Sequence, residues 1–382
     1  VATIVDGKKS IPFLRGMLAH YLIELGFTFQ DAYGVADRVR RELVKVKEIK
    51  ANEMAELVRA VAQKDFGERE VGAGVFWAPT ARKIFVSDDD LRMIFSKERL
   101  ADSLGVTGLD HDLAHVIAGR VESDLLRTDE EFISKKALVK RITQFLKKEG
   151  GDNFANRFRT WHHFRNEDRH KPLVILIGGS SGVGKTSLSV ALANQLRISR
   201  VVSTDSIRQI MRLMIAPDLM PALHASSYTA WKVAGAVSVD DPNPVISAFR
   251  EQVMRVGVGV KAIISRALEE NDSVIIDGVH LLPDLINLKP FEKDAIFVWV
   301  NLHIEDTKQY EGRFKQRGSA AGKRSAHRYI ENIDAILEIQ NHILTIGKDH
   351  KILSLENTDL EETTQNFLTH IMDRLHAVLP KV

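Results

Sequence analysis

The stretch Gly179-Ser180-Ser181-Gly182-Val183-Gly184-Lys185-Thr186 constrains the fold of this chain more than any other. It is G-x-x-x-x-G-K-[ST] without a mismatch. The apolar run Leu173 to Ile177 directly before it reads as a buried strand, and Ser187 to Leu196 directly after it has the periodicity of a helix. Glycines let such a loop wrap closely, so that backbone N–H groups point at a phosphate while the following helix N-terminus adds partial positive charge. Residues Gly179 to Ser187 are therefore expected to bind the phosphates of a nucleotide. Lys185 would reach the β- and γ-phosphates and Thr186 would hold Mg²⁺.

Further strands follow at regular intervals. Val201-Val202-Ser203 is the second, with Thr204-Asp205-Ser206-Ile207-Arg208 at its end. Ligands in doubly wound sheets bind outside the carboxyl ends of strands, so Asp205 stands where an acceptor hydroxyl would lie and could take its proton. A helix N-cap is the alternative use of Thr204 or Asp205. Arg208 and Arg212 are four apart on the next helix, and their guanidinium forks suit a carboxylate or phosphate. Ser273 to Ile276 is the third strand, ending in Asp277, a metal-binding carboxylate by position. His280 either faces the site or packs beneath it. Ala295 to Val300 is the fourth strand, and Glu305 to Arg317 a helix rich in arginine. Arg313, Arg317, Arg324 and Arg328 fit a lid that closes over phosphates, with Arg313 and Arg317 stabilising transition-state charge. An exposed charged helix is the alternative. A fifth strand, Lys351 to Leu355, and an amphipathic helix carrying Leu360, Phe367, Leu368, Ile371, Leu375 and Leu379 complete a parallel five-stranded α/β domain over 171–382. The expected activity is phosphoryl transfer from ATP to a small acidic or phosphorylated molecule.

The first 160 residues contain a repeat. Shifted by 82 positions, Phe13 falls on Phe95, Leu18-Ala19 on Leu100-Ala101, Leu22 on Leu104, Ala32 on Ala114, Ala36 on Ala118 and Arg38-Val39 on Arg120-Val121. Each copy reads as a hairpin, turning at Asp6-Gly7 or at Asp88-Asp89-Asp90, followed by helices. The first copy, from the Asp-Gly hairpin through Phe13 and Arg15 to the Ala32/Ala36 helix, looks like an ATP-cone, a small nucleotide-binding regulatory domain. The second has an acidic cluster in place of the Gly, a poor place for a phosphate. The expected domains are a cone over 1–70, a degenerate cone over 83–160 and the phosphotransferase over 171–382. Val71 to Arg82 is expected to link the copies. A solvated linker is expected near Arg157 to Pro172, where His162, His163 and His170 otherwise suggest a metal.

The order of motifs in the C-terminal half resembles the archaeal-type 2-phosphoglycerate kinases. Ile177 to Thr186, then Ser203-Thr204-Asp205-Ser206-Ile207-Arg208 with Met211-Arg212, carry the likeness. His224-Ala225-Ser226-Ser227-Tyr228-Thr229-Ala230-Trp231-Lys232, Glu251-Gln252-Val253 and Asp277-Gly278-Val279-His280-Leu281 extend it. The resemblance implies ATP as donor, Mg²⁺ as cofactor and 2-phosphoglycerate as acceptor, yielding 2,3-bisphosphoglycerate. It makes His224, Tyr228 and Lys232 substrate contacts beside Asp205, Arg208 and Arg212, with a packed hairpin as the alternative. It also implies regulation by a nucleotide at the cone. The chain departs from the pattern in having two cone-like copies and in Asp277, where a Glu is expected. The same core resembles plant proteins linked to phytic acid, so an inositol phosphate acceptor stays open. A nucleotide-sensing protein with little turnover is the remaining alternative.

Composition narrows the partners. A net charge of +2 over 382 residues provides no global field for nucleic acid or membrane. The absence of cysteine excludes disulfides and thiolate chemistry, and no apolar run approaches a membrane span. A cytoplasmic enzyme is expected, with a homo-oligomer left open.

Overall fold

The computed structural model describes residues 2–6, 9–25, 27–66, 84–88, 91–128, 132–166, 171–233, 242–321 and 323–379, with the backbone alone described at 9, 24, 45, 65, 66 and 91 and over 315–321 and 323–326. The linker expected at Val71 to Arg82 lies outside these residues, as do Gly7, Asp89, Asp90 and His170. Among the described residues, no helix is long and apolar enough to cross a membrane.

The first copy of the repeat runs β1 (Thr3–Asp6), β2 (Lys9–Pro12), α1 (Arg15–Glu24), α2 (Phe29–Glu42), β3 (Glu48–Lys50), α3 (Ala51–Phe66). β1 is central, antiparallel to β2 and parallel to β3. Ile4, Leu18, Leu22, Ala36, Val39 and Met54 form the core beneath it. Thr28 starts α2 by accepting from the Asp31 N–H, as a cap should. The second copy repeats the order: β4 (Phe85–Asp88), β5 (Leu91–Ile94), α4 (Lys97–Gly105), α5 (His111–Arg127), β6 (Phe132–Ser134), α6 (Lys135–Glu149). The Thr3–Pro12 pairing of the first hairpin recurs 82 residues on as Phe85–Ile94. The repeat seen in the sequence is thus a repeat of strand register.

The chain divides into two compact units, 1–97 with 119–141 and 98–118 with 142–382. The division passes through the second repeat. In the second unit, α7 (Asp152–Asn166) occupies the stretch expected to be a solvated linker. Phe158, Trp161 and Phe164 recur every three residues and are buried, and Trp161 and Phe164 join the main core. The charged residues on the other face of α7 hid this stripe.

The rest of the second unit runs β7 (Leu173–Gly178), α8 (Lys185–Leu196), β8 (Arg200–Ser203), α9 (Thr204–Met214), α10 (Pro244–Glu269), β9 (Val274–Asp277), β10 (Ile296–His303), α11 (Thr307–Ala321), α12 (Lys323–Ile330), α13 (Ile333–Asp349), β11 (Leu353–Glu356), α14 (Leu360–Val378). The strands form one parallel sheet in the order β11-β10-β7-β9-β8. All six residues of β7 are buried, because helices cover both faces of its sheet. Ile175 and Ile177 face a core shared with α8, α13 and α14, while Val174 and Leu176 face one shared with α10. The segment from His224 to Lys232, where a packed helix hairpin is the alternative to substrate contacts, is instead a pair of short 3-10 turns, Pro221–His224 and Ala230–Lys232, against α10. Replacing Trp161 by Ala is expected to lower the unfolding free energy of the second unit by about 3–5 kcal/mol. Chemical denaturation followed by a probe in this unit checks it; an unmoved midpoint would mean α7 adds nothing to the core.

Candidate functional site

The phosphate loop spans the gap between Gly178 and Lys185. Gly184 is in the left-handed region at φ 93°, and a Cβ there would overlap the Asn357 amide. Gly179, at φ 134°, has the Leu302 carbonyl in the corresponding place. Only glycine fits either position.

The loop's carbonyls are engaged by side chains far away in sequence. Asn357 Nδ2 donates to the Val183 carbonyl at 2.7 Å, and the Tyr310 hydroxyl donates to the Ser181 carbonyl at 2.6 Å. That bond uses the only hydroxyl proton of Tyr310, so the Ser180 hydroxyl donates to Tyr310 across 2.6 Å. Arg313 spans the carbonyls of Val183, Asn357 and Thr358, and burial pulls its pKa down. Arg313 thus braces the loop in this structure. Sequence reasoning missed Tyr310 and Asn357, which belong to no local motif. The Lys185 ammonium crosses the loop to the Ser180 carbonyl at 2.6 Å.

Beside the loop, Thr186 Oγ1 donates to Asp277 Oδ2 at 3.1 Å. Asp277 ends β9, which pairs with β7 so that Asp277 stands opposite Ile177. Its carboxyl is buried, and burial pushes its pKa up; Lys185 and the Thr186 hydroxyl act the other way, and Asp205 raises it further. A buried carboxylate and a hydroxyl within hydrogen-bond reach of each other are the hard oxygen donors that Mg²⁺ takes, and a cation would offset the cost of ionising Asp277.

The residues expected to meet an acceptor lie on and around α9. Ser203 caps this helix by accepting from the Ser206 N–H at 3.0 Å. Asp205 is therefore not the cap; its side chain is exposed in the first turn, with Arg208 Nε 3.6 Å from its Oδ1. Arg208 Nη1 donates to the carbonyls of Leu223 and Ala225, each at 3.0 Å, and Arg208 Nε is buried without a hydrogen-bond acceptor. Arg212 lies one turn further along, partly exposed. Tyr228 is buried, which raises its pKa; Ser226, Tyr329, Arg328 and Asp205 all act on its hydroxyl. Arg328 Nη2 reaches Ser226 Oγ at 3.4 Å. The site therefore gathers Lys185, Thr186, Asp277, Asp205, Arg208, Tyr228 and Arg328. His224 donates instead to the Ile215 carbonyl at 2.9 Å, and Lys232 to Asn332 Oδ1 at 2.8 Å on the exposed rim. The side chains of Arg317 and Arg324, expected in a lid, are not among those described.

His280 packs beneath the site, fully buried between Thr204 and Gln252. Burial lowers its pKa from 6.5 to about 3.

Comparison with known proteins follows the same direction. A 2-phosphoglycerate kinase of Pyrococcus furiosus is 34% identical over 300 residues, covering 78% of this chain and 96% of the relative. One from Methanocaldococcus jannaschii is 35% identical over 296 residues, covering 78% of this chain and 93% of the relative. No family model matches the chain. Among solved structures, a gluconokinase from Sinorhizobium meliloti is 15% identical with a TM-score of 0.32, covering 55% of this chain and 98% of its own, too distant to bear on the reading.

Two measurements test the electrostatics. Asp277→Asn is expected to melt at or above the wild-type temperature without divalent cation, and to lose any cation-dependent rise in melting temperature. A lower melting point without cation would mean that the fold alone satisfies the carboxylate. For His280, neither state is protonated well above pH 6.5, so stability there is independent of this group. Below pH 6.5 the unfolded chain takes up a proton that the folded one refuses until about pH 3, so stability falls across that window. His280→Asn is expected to flatten the decline in denaturation midpoint between pH 6.5 and 4; an unchanged slope would assign the decline to other groups.

Proposed function

The chain belongs to the 2-phosphoglycerate kinase family, and we propose that it transfers the γ-phosphate of ATP to the free hydroxyl of 2-phosphoglycerate, yielding ADP and 2,3-bisphosphoglycerate. The observation that carries this reading is the position of Asp205. Ser203 takes the cap, so Asp205 is left exposed, close enough to Asp277 to perturb it and beside Arg208. On this reading the acceptor and donor sites adjoin.

Each group then has a chemical role. The loop N–H groups and Lys185 bind the β- and γ-phosphates, with Lys185 exchanging its bond to the Ser180 carbonyl for phosphate oxygens. Thr186 and Asp277 would hold Mg²⁺, which supplies charge neutralisation at the phosphates when bound. Asp205 orients the acceptor hydroxyl and takes its proton as the bond to phosphorus forms. Arg208 has an Nε–H without an acceptor, and it clamps the acceptor's carboxylate or phosphate together with Arg212 and Arg328. Tyr228 lies where it can donate to the same anion. Arg313 holds the loop in shape, and the lid role expected of Arg317 and Arg324 is kept as part of this proposal. His224 and Lys232 shape the acceptor wall.

The N-terminal repeats are proposed to be regulatory, with a cone over 1–70, a second repeat over 83–160 and the kinase over 171–382. The first copy binds an adenine nucleotide. In the second, Lys135 pairs with Asp88 at the base of the acidic hairpin, which supports a structural role there.

A coupled ADP-release assay with Mg-ATP compares 2-phosphoglycerate, 3-phosphoglycerate, glycerate and myo-inositol. Saturable turnover on 2-phosphoglycerate is expected; turnover on another acceptor alone would discard that substrate and keep the kinase. Lys185→Ala and Asp205→Asn are each expected to lower kcat at least ~100-fold, Asp205→Asn with unchanged ATP binding. Near-normal turnover in Asp205→Asn would remove it as the base. Equilibrium binding of ATP is expected to show a second site that deletion of residues 1–82 removes; a single site in the full chain would sink the regulatory reading.

A further inference from the structure

Beneath the acceptor side lies a chain of polar groups sealed from water. Thr204, His280 and Gln252 are each fully buried. Gln252 Nε2 lies 2.5 Å from the Ala222 carbonyl and 3.1 Å from the Ala225 carbonyl. Two carbonyls can only accept, so the amide nitrogen must be the atom facing them and the amide oxygen must face His280. That oxygen is 2.9 Å from His280 Nε2, which therefore carries the proton. His280 Nδ1 is then bare and accepts from the Thr204 hydroxyl at 2.8 Å. The direction of every bond is fixed from one end: Thr204 donates to His280, His280 to Gln252, and Gln252 to the 222–225 turn.

Both ends of this chain touch groups assigned to the acceptor. Thr204 immediately precedes Asp205 and is the first residue of α9. The Ala225 carbonyl accepts from Gln252 and also from Arg208 Nη1. The middle of the chain is tied to the metal carboxylate, since His280 follows Asp277 by three residues. The intervening Gly278, at φ 155°, has Thr204 where its Cβ would be. No side chain can separate α9 from the end of β9.

We propose that His280 and Gln252 are positioning residues of the acceptor site, joining Thr204 to the 222–225 turn so that Asp205 and the Arg208 clamp are held in one geometry. This rests on the reading of Asp205 and Arg208 as acceptor groups. Neither His280 nor Gln252 touches substrate. A buried network of this kind holds its geometry only while every member is satisfied, so losing one member frees both ends.

The test is steady-state kinetics on the full chain, with KM measured separately for each substrate. Gln252→Leu leaves the Ala222 carbonyl and the His280 N–H without their partner. It is expected to raise the acceptor KM ~10-fold or more while the ATP KM stays within ~2-fold, because the phosphate loop hangs on Tyr310 and Asn357 instead. Thr204→Val is expected to lower kcat ~10-fold or more, and Thr204→Ser to restore most of that loss. Should Gln252→Leu fail to fold, the Thr204 pair decides alone. Acceptor and ATP KM rising together, or Thr204→Ser no better than Thr204→Val, would overturn the proposal. If the wild type uses an acceptor other than 2-phosphoglycerate, the substrate assignment falls, and the same split measured on that acceptor still scores the relay. A readout without turnover is ¹⁵N-histidine NMR. It should show His280 as the neutral Nε2–H tautomer at pH 5, lost in Thr204→Val or Gln252→Leu; the Nδ1–H tautomer in the wild type would refute the chain.

Discussion

The parallel pairing of β7 with β9, and of β9 with β8, is the constraint on which the site depends. Its register sets Ile177 opposite Asp277 and Asp277 opposite Ser203. Three strands therefore end level, and the chain leaving each of them supplies a different part of the site. The phosphate loop follows β7, Asp277 ends β9, and α9, which carries Asp205 and Arg208, follows β8. A slip along any strand would move one part away from the other two. Burial of β7 on both faces fixes that register, because each of its five side chains already has an apolar partner.

Groups on the surface of the site follow local pattern, whereas the ties behind it do not. The phosphate loop is a contiguous string, and Asp205 and Asp277 each sit at the end of an apolar run, so local pattern locates them. Tyr310 and Asn357 act on the loop from 129 and 174 residues away, and Gln252 acts on His280 from 28. No spacing rule spans those distances, although each tie can be read once the sheet order is known. The cap shows the limit at close range. Ser203, Thr204 and Asp205 are all competent N-caps, and only the backbone angles at Ser203 decide among them. That decision leaves the Asp205 carboxylate out of the helix cap.

The helices show a similar division. α14 announces itself by a clean apolar stripe. α7 carries an equally regular one in Phe158, Trp161 and Phe164, but arginines and histidines surround it, and composition alone reads as linker. Composition averages over all faces of a helix, whereas burial is decided by one face.

The two N-terminal copies share strand register but not surroundings. In the first, a hairpin with a glycine in its turn sequence stands over its own small core. In the second, the turn after α4 belongs to the kinase unit. Gly108 has φ 83°, a Cβ there would lie 2.8 Å from Thr369 Oγ1 on α14, and Val106 joins the main core. A repeat whose middle is part of the catalytic unit has a structural use that does not depend on binding anything. Such a repeat can exchange a glycine turn for an acidic one, with Lys135 neutralising Asp88, without loss of its place in the fold. About a fifth of the chain lies outside the match to its Pyrococcus relative, a length comparable to one repeat. The two copies thus share a hairpin register, while the second also lends Gly108 and Val106 to the kinase unit.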